Sequence, residues 1–232
     1  MTNQYRLRIR LLSDATFGRG DGVAGVVDAE VQHDIYGLPY LGGRSLKGLL
    51  GAECADIVYA LSLAGESQKT RWQQAENRLF GDIGSGLAGT ANLRVGPAEL
   101  PADLRAAIAR EINQKKDQKN DPMKLTRAAV LESLTALRRQ TAMDAESGAP
   151  KKETLRTMRV ILRETVFESA LHFAEIPTTD ELALLAACVK AFRRGGTGRN
   201  RGRGRLVAEL YDADRQPVTD TLFSDFQKAV GL

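Results

Sequence analysis

The chain has 232 residues, of which 43% are hydrophobic and 27% are charged. This length and composition are typical of a soluble globular protein whose core folds without disulfide bonds. No stretch reaches the roughly 18 apolar residues of a membrane-spanning helix, and the first residues lack the apolar run of a signal peptide. We therefore expect a cytoplasmic protein that does not bind membranes.

The formal net charge of +4 hides a strong separation of charge along the chain. Residues 193–205 contain six arginines, five glycines and no acidic residue, and residues 138–163 carry a further net charge of +4. The remaining residues sum to −6. Because a polyanion that binds only the two basic segments gains most of the available counterion-release energy, nucleic acid is the leading partner.

The first element is predicted from alternation: apolar residues at every second position of residues 5–12 indicate a strand with an arginine-bearing solvent face. Residues 13–42 follow as a segment rich in glycine and aspartate, longer than a structural connection usually is. A helix comes next, because apolar residues from Leu46 to Leu61 fall on one face and Ser45 stands where an N-cap is expected.

The downstream elements complete a recognisable order. Residues 91–100 predict a short strand, a helix follows Pro101, residues 138–152 indicate a hairpin with a Gly/Pro tip, and residues 157–176 give two β-rich runs. Thr178 and Glu181 form a capping box ahead of a helix that ends at the arginine run, and a strand and a short helix close the chain. This order is the split βαβ arrangement of an α+β, ferredoxin-like fold.

The segment GLPYLGGRSLKG is a candidate anion site at the start of the first helix. Gly42 and Gly43 allow close approach of the backbone, Ser45 leaves first-turn N–H groups free, and Arg44 and Lys47 add positive charge. The spacing is not that of a Walker loop. An ordinary capped helix with a surface lysine explains the same residues equally well.

The run GGTGRNRGRGR offers flexible backbone and arginine forks that can grip phosphates bidentately. Aromatic residues make up only 6% of the chain, which argues against broad base-stacking platforms. We therefore expect this run to hold the sugar-phosphate backbone rather than to read bases.

Candidates for catalysis are few. The two histidines, His33 and His172, are not spaced as metal ligands, and the two cysteines are best explained as small buried residues. An aspartate of the glycine-rich segment can instead hold a divalent ion by one carboxylate, with water and nucleic-acid phosphate supplying the other ligands. The residues alone do not tell which aspartate this is.

Four segments together resemble one family. They are GLPYLGGRSLKG, LFGDIGSGLAGTANLRV, TAMDAESGAPKKETL and GGTGRNRGRGRL, and they occur in that family's order over nearly the whole chain. The chain resembles the RAMP superfamily of CRISPR-associated proteins, and in particular the repeated backbone subunit of type III effector complexes.

The resemblance implies a single RAMP domain over residues 1–232, with an RNA-recognition-like palm. Within it we expect a first-loop segment at residues 13–42, a helical insertion at 102–137 and a thumb β-hairpin at 138–156. The implied partners are a CRISPR guide RNA, a complementary target RNA, the other subunits of the type III complex and copies of the chain itself.

The resemblance also assigns roles to residues. The start of the first helix and the glycine-rich loop would hold the guide backbone, and the thumb would wedge into the guide–target duplex and flip a base at regular intervals. The RNA-binding residues expected on these grounds, together with the basic charge of the thumb, are Arg44, Ser45, Lys47, Arg138, Arg139, Thr141, Met143, Lys151, Lys152, Arg199, Arg201 and Arg203.

In relatives that cut RNA, an aspartate lies six residues before a second one that precedes the Gly-x-Pro segment. Asp28 and Asp34 keep that spacing, so the resemblance names Asp28 as both the catalytic residue and the metal ligand, with Mg²⁺ as the cofactor. The expected activity is a metal-dependent endoribonuclease in which the target's own 2′-hydroxyl attacks.

Three alternatives stay open. The first is a purely structural RNA-binding subunit on the same fold. The second is a guide-processing endoribonuclease of the same superfamily, for which His33 is the available general base. The third is mononucleotide binding by the glycine-rich loop, which, unlike RNA binding, would survive high salt.

Overall fold

A computed structural model describes residues 2–22, 27–63, 65–81, 90–114, 125–144, 146–150 and 154–231. Within these ranges the chain forms the following elements: β1 Gln4–Leu11, α1 Gly43–Ser62, α2 Glu66–Phe80, β2 Leu93–Val95, α3 Ala102–Gln114, α4 Arg127–Leu134, β3 Thr135–Gln140, β4 Arg156–Ile161, β5 Val166–Phe173, α5 Thr179–Ala191, β6 Leu206–Tyr211 and α6 Thr219–Val230.

Four strands form an antiparallel sheet in the order β2-β5-β1-β6, and β3 pairs with β4 in a separate hairpin. The central strand β1 alternates strictly, with Leu7, Ile9 and Leu11 buried and Arg6, Arg8 and Arg10 exposed. The buried side chains pack in one core with those of α1, α2 and α5. The helices therefore cover one face of the sheet, and this arrangement confirms the α+β, ferredoxin-like prediction.

Helix α5 is the central helix of that layer. Nine consecutive residues from Glu181 to Val189 are buried, because α1, α2 and α6 all pack against it. The predicted capping box is present: the N–H of Glu181 donates to Thr178 Oγ1 at 3.2 Å, and the N–H of Thr178 donates to Glu181 Oε2 at 2.8 Å. The two cysteines are buried as expected, one on α1 and one on α5, and burial raises the pKa of the Cys188 thiol.

The insertion and the thumb differ from the sequence prediction in their boundaries. Helix α4 ends at Leu134 and β3 begins at the next residue, so the helical insertion stops before residue 137 and the thumb hairpin is longer than residues 138–156. The paired thumb strands run over 135–140 and 156–161. Helix α2 is absent from the sequence prediction, since its sequence is polar apart from Trp72, Ala75, Leu79 and Phe80, of which the first three are buried.

Candidate nucleic-acid interface

The two basic segments of the sequence meet at the base of the thumb hairpin. We call residues 193–205 the arginine–glycine loop. In this loop, Arg203 Nη1 donates to Met158 Sδ on β4, and Arg201 lines a groove of about 650 Å³ together with Gln140 and Arg156 of the hairpin. Segments separated by tens of residues thus form one basic surface.

Glycines hold the arginine–glycine loop in shape. A Cβ on Gly204 would lie 1.9 Å from the carbonyl oxygen of Gly195, and Gly204 has a φ of +67°, so only glycine fits there. The N–H of Gly204 donates to the carbonyl oxygen of Asp14, and the N–H of Thr197 donates to that of Thr16, both at 2.9 Å. The arginine–glycine loop is therefore anchored to the first-loop segment, while Arg199 and Arg201 remain exposed.

A second groove, of about 660 Å³, lies beside the first and is lined by residues that include Arg138, Arg163 and Arg203. Arg138 differs from its neighbours because its Nη2 lies 2.8 Å from Asp14 Oδ2, and this ion pair offsets its charge. Within the described part of the chain, the arginines of the hairpin, the two grooves and the arginine–glycine loop without a carboxylate in ion-pair distance are Arg139, Arg156, Arg163, Arg193, Arg194, Arg199, Arg201, Arg203 and Arg205.

Asp28 attaches the first-loop segment to strand β4 of the hairpin, beside the basic surface. The N–H of Asp28 donates to the carbonyl oxygen of Thr157 at 2.8 Å, and the N–H of Thr157 donates to Asp28 Oδ2 at 2.6 Å. Next to it, Ala29 pairs with Met158, the residue that Arg203 contacts. Asp28 is exposed, and its Oδ1 makes no hydrogen bond to a described residue. A fixed carboxylate thus faces solvent beside the basic surface.

A buried ion pair anchors this junction. Arg159 Nε lies 2.9 Å from Glu30 Oε1, with the two side chains 14% and 3% exposed. Arg159 Nη1 also donates to Thr135 Oγ1, and Glu30 Oε1 accepts the N–H of Val31. No sequence pattern indicates this pair, because a single glutamate and a single arginine 129 residues apart give no spacing signal. Its effect is to fix the segment that contains Asp28 against the thumb hairpin.

Asp34 has a different environment from Asp28. Its Oδ1 accepts the N–H groups of Tyr36 and Leu38 at 2.8 and 2.9 Å, so the side chain holds a turn. His33 Nδ1 lies 3.1 Å from both Arg127 Nη2 and the carbonyl oxygen of Asp34. Neither His33 nor Asp34 contacts Asp28.

The start of α1 is a correction to the sequence prediction. The N-cap is Gly42, without a side-chain cap, and Ser45 lies inside the first turn. A Cβ on Gly43 would lie 2.3 Å from the carbonyl oxygen of Val95, so this glycine serves packing against the chain itself rather than approach to a ligand. Arg44 and Ser45 remain exposed.

Lys47 is also used within the fold. Its Nζ donates to the carbonyl oxygen of Leu93 at 2.9 Å, and partial burial lowers the pKa of its ammonium group. The ammonium is therefore directed at strand β2, and it is not an unengaged charge at the helix end as the sequence suggested.

The start of α1 and the arginine–glycine loop are both attached to the first-loop segment. On the side of the arginine–glycine loop, the N–H of Thr197 donates to the carbonyl oxygen of Thr16. On the side of α1, the side-chain oxygen of Gln32 accepts the N–H of Gly42 at 3.2 Å, and the N–H of Gln32 donates to the carbonyl oxygen of Phe17. Arg199 and Arg193 of the arginine–glycine loop also lie near Glu53 of α1. Burial raises the pKa of the Glu53 carboxyl, and the positive charge of these two arginines opposes that rise.

The hairpin residues between β3 and the turn at Asp144 contribute polar and apolar side chains to the first groove. Thr141 Oγ1 lies 3.0 Å from Thr154 Oγ1, and Met143 lines the groove with 60% of its surface exposed. Asp144 holds the turn by accepting the N–H of Ser147, a bond that lowers the pKa of the Asp144 carboxyl. Lys151 and Lys152 lie outside the described residues.

The donor set for a metal ion is small. Among the described residues, no three His, Cys, Asp or Glu side chains group in a way that could hold an ion. Asp28 supplies one unengaged carboxylate oxygen, which fits the way Mg²⁺ is held by one or two carboxylates and substrate phosphates, but not an all-protein cage.

The chain is similar to known proteins in both sequence and structure. A family model described as RAMP superfamily matches residues 8–207. A search of curated proteins found no match. None of the described helices is both long and apolar enough to cross a membrane.

Two solved structures have a similar fold. One is a chain of "Type III-B Cmr-beta Cryo-EM structure of the Apo state", with a TM-score of 0.60, 14% identity, and coverage of 90% of this chain and 98% of that one. The other is a chain of "Cryo-EM structure of the Type III-B Cmr-beta bound to cognate target RNA", with a TM-score of 0.59, 13% identity, and coverage of 96% and 99%.

Proposed function

The chain belongs to the RAMP superfamily, and from this premise we propose that it is a guide-RNA-binding backbone subunit of a type III CRISPR effector complex that cleaves complementary target RNA. One observation carries the proposal. Asp28, the thumb strand and the arginine–glycine loop meet at Thr157 and Met158, so a carboxylate suited to catalysis lies where phosphate-binding charge is concentrated.

RNA is the polyanion that best fits the surface. Arginines without carboxylate partners line both sides of the thumb base, and their forks match phosphate oxygens. Arg44 and Ser45 are also exposed, at the start of α1, which hydrogen bonds through Gln32 connect to the first-loop segment. The similar chains come from type III-B Cmr-beta structures, one of them bound to cognate target RNA, which supports RNA and other complex subunits as partners.

Cleavage in this proposal uses the target's own 2′-oxygen. The 2′-hydroxyl gives its proton to water as its oxygen attacks the adjacent phosphorus, the bond from phosphorus to the 5′-oxygen breaks, and the leaving 5′-oxygen takes a proton from water, which leaves a 2′,3′-cyclic phosphate and a 5′-hydroxyl. The thumb and the arginines hold the linkage in line, and Asp28, fixed by the N–H of Thr157, presents Oδ1 toward it. A bound Mg²⁺ would supply charge stabilisation, with Asp28 as its one protein ligand.

The test is target cleavage by the assembled complex carrying Asp28→Asn. Asparagine keeps the acceptor for the N–H of Thr157 but loses the charge, so we expect the cleavage rate to fall at least about 100-fold while RNA binding is retained. Asp34→Asn is the matched control, because its side chain only holds a turn, and it should cleave within about twofold of wild type. Unchanged cleavage by Asp28→Asn would refute the catalytic role.

A non-catalytic RNA-binding subunit is the second candidate. The observation that favours it is the hydrogen bond from the N–H of Thr157 to Asp28, since an aspartate that holds the first-loop segment against β4 needs no further role. This candidate predicts that Asp28→Ala, which removes the acceptor for the N–H of Thr157, lowers the melting temperature while target cleavage by the assembled complex stays unchanged.

A further inference from the structure

Strand β6 is an edge of the main sheet, and its outward backbone groups can be followed one by one. The N–H of Leu206 donates to the carbonyl oxygen of Arg193 at 3.0 Å, and the N–H of Leu210 donates to Thr219 Oγ1 at 2.6 Å. Both partners lie on the side away from β1. Because backbone groups alternate along a strand, the N–H and C=O of Ala208 point to this same edge.

Ala208 is the gap between these two contacts. In the part of the chain that the structure describes, no hydrogen bond reaches the N–H or C=O of Ala208 or the C=O of Leu206, although Ala208 is only 5% exposed. Backbone polar groups of buried residues are nearly always paired, and an unpaired one costs free energy. Three adjacent groups therefore remain available on one edge.

The opposite edge of the sheet is closed by the chain itself. There, the carbonyl oxygen of Leu93 on β2 accepts Lys47 Nζ, and Gly43 of α1 packs against the backbone of Val95. The edge at β6 lacks such a cover over Ala208 among the described residues. It lies instead in a groove of about 380 Å³, beside two apolar side chains, Leu12 and Val207, that are 39% and 38% exposed.

The charge of this groove does not suit nucleic acid. Lys190 lines it together with Asp220, and the two form an ion pair of 2.5 Å, while Glu209 balances Arg193. A balanced groove with unpaired N–H and C=O groups matches an extended polypeptide, which carries both kinds of partner, rather than a polyanion, whose backbone lacks amide donors.

We propose that an extended segment of a neighbouring protein subunit docks on β6 as an added strand. It pairs with the N–H and C=O of Ala208 and with the C=O of Leu206, and it places an apolar side chain against Leu12 and Val207. This inference rests on the proposed function, because it takes the chain to work inside a complex of several subunits.

The sharpest variant is Ala208→Pro. Proline is tolerated on an edge strand where the N–H points away from the sheet, so the isolated variant should fold with a melting temperature within a few degrees of wild type. It removes the donor and blocks the approach of a strand. We expect the fraction of the chain incorporated into the complex to fall about tenfold or more. Ala208→Ser keeps the N–H and should be incorporated like wild type.

Hydrogen exchange on the wild-type chain gives a second measurement that needs no variant. The amide of Ala208 should exchange fast in the isolated chain and at least about 100-fold more slowly in the assembled complex, the scale of protection that a lasting amide pair gives. The amides of Leu206 and Leu210 are bonded within the chain and should be slow in both states. Unchanged exchange at Ala208 in an assembled complex overturns the inference, even where Ala208→Pro fails to fold. Failure of the wild-type chain to enter any complex would refute the proposed function instead.

Discussion

The base of the thumb and the start of α1 both combine glycines with basic residues, but the structure uses them differently. At α1, the carbonyl oxygen of Val95 occupies the space that Gly43 leaves open, and a carbonyl oxygen of β2 accepts Lys47. At the thumb base, the glycines close the arginine–glycine loop on itself and leave Arg199 and Arg201 outside. A pattern of Gly, Arg and Lys therefore predicts an anion site only where carbonyl groups of the chain itself do not already accept hydrogen bonds from the basic side chains or fill the space beside the glycines.

The largest expected effect tests what holds the thumb base together. Glu30→Gln removes the charge that compensates the buried Arg159, and we expect the free energy of unfolding to fall by about 3 kcal/mol. Asp14→Asn is the matched control: it removes the carboxylate that pairs with Arg138, but the two side chains are 50% and 22% exposed, against 14% and 3% for the buried pair, and the loss should be less than about 1 kcal/mol. Urea denaturation of both isolated variants measures the two losses.

Equal losses for the two variants would mean that burial does not distinguish these ion pairs. The same Glu30→Gln variant, assembled into the complex, also shows whether the junction matters for cleavage, because Asp28 lies two residues from Glu30 in the segment that the pair anchors.

The next prediction compares the arginine–glycine loop with the start of α1 by the salt dependence of RNA binding. For single-stranded RNA, the slope of log K against log salt falls by about 0.7 for each phosphate group that the protein no longer neutralises. We therefore expect the double variant Arg199→Ala/Arg201→Ala to lower the slope by about 1.4, and Lys47→Met to leave it unchanged, since the ammonium of Lys47 is engaged by Leu93. Filter binding at several salt concentrations measures both. A slope change for Lys47→Met as large as that of one arginine would remove the distinction between the regions.

The palm could be predicted from sequence because its elements carry local patterns. The alternation of β1, the apolar face of α1 and the Thr178–Glu181 capping box each specify an element without knowledge of the rest. Helix α2 could not, since three core-facing side chains in a polar helix give a weak period. Its core face exists only because α1 and α5 are there to pack against.

The candidate site likewise has parts that the sequence predicts and parts that it does not. The concentration of arginine at residues 193–205 and the candidate Asp28 were available from sequence, whereas the buried Glu30–Arg159 pair and the open edge at Ala208 depend on contacts between distant segments. Lys47 shows the limit most clearly. Its sequence context is equally that of a phosphate ligand and a packed surface lysine, and only the position of the carbonyl oxygen of Leu93 decides between them.

The smallest expected effect tests the burial of the Lys47 ammonium by the pH dependence of stability. Burial lowers the pKa of Lys47 in the folded state, so between the folded pKa and the ordinary value of 10.5 the unfolded chain binds more protons. The stability of wild type should therefore rise relative to Lys47→Met as pH increases toward 10.5, and the two should run parallel above it. Denaturation curves at about pH 7, 9 and 10 make the comparison, and a constant difference between wild type and Lys47→Met would mean that the ammonium is as well solvated in the folded chain as in the unfolded one.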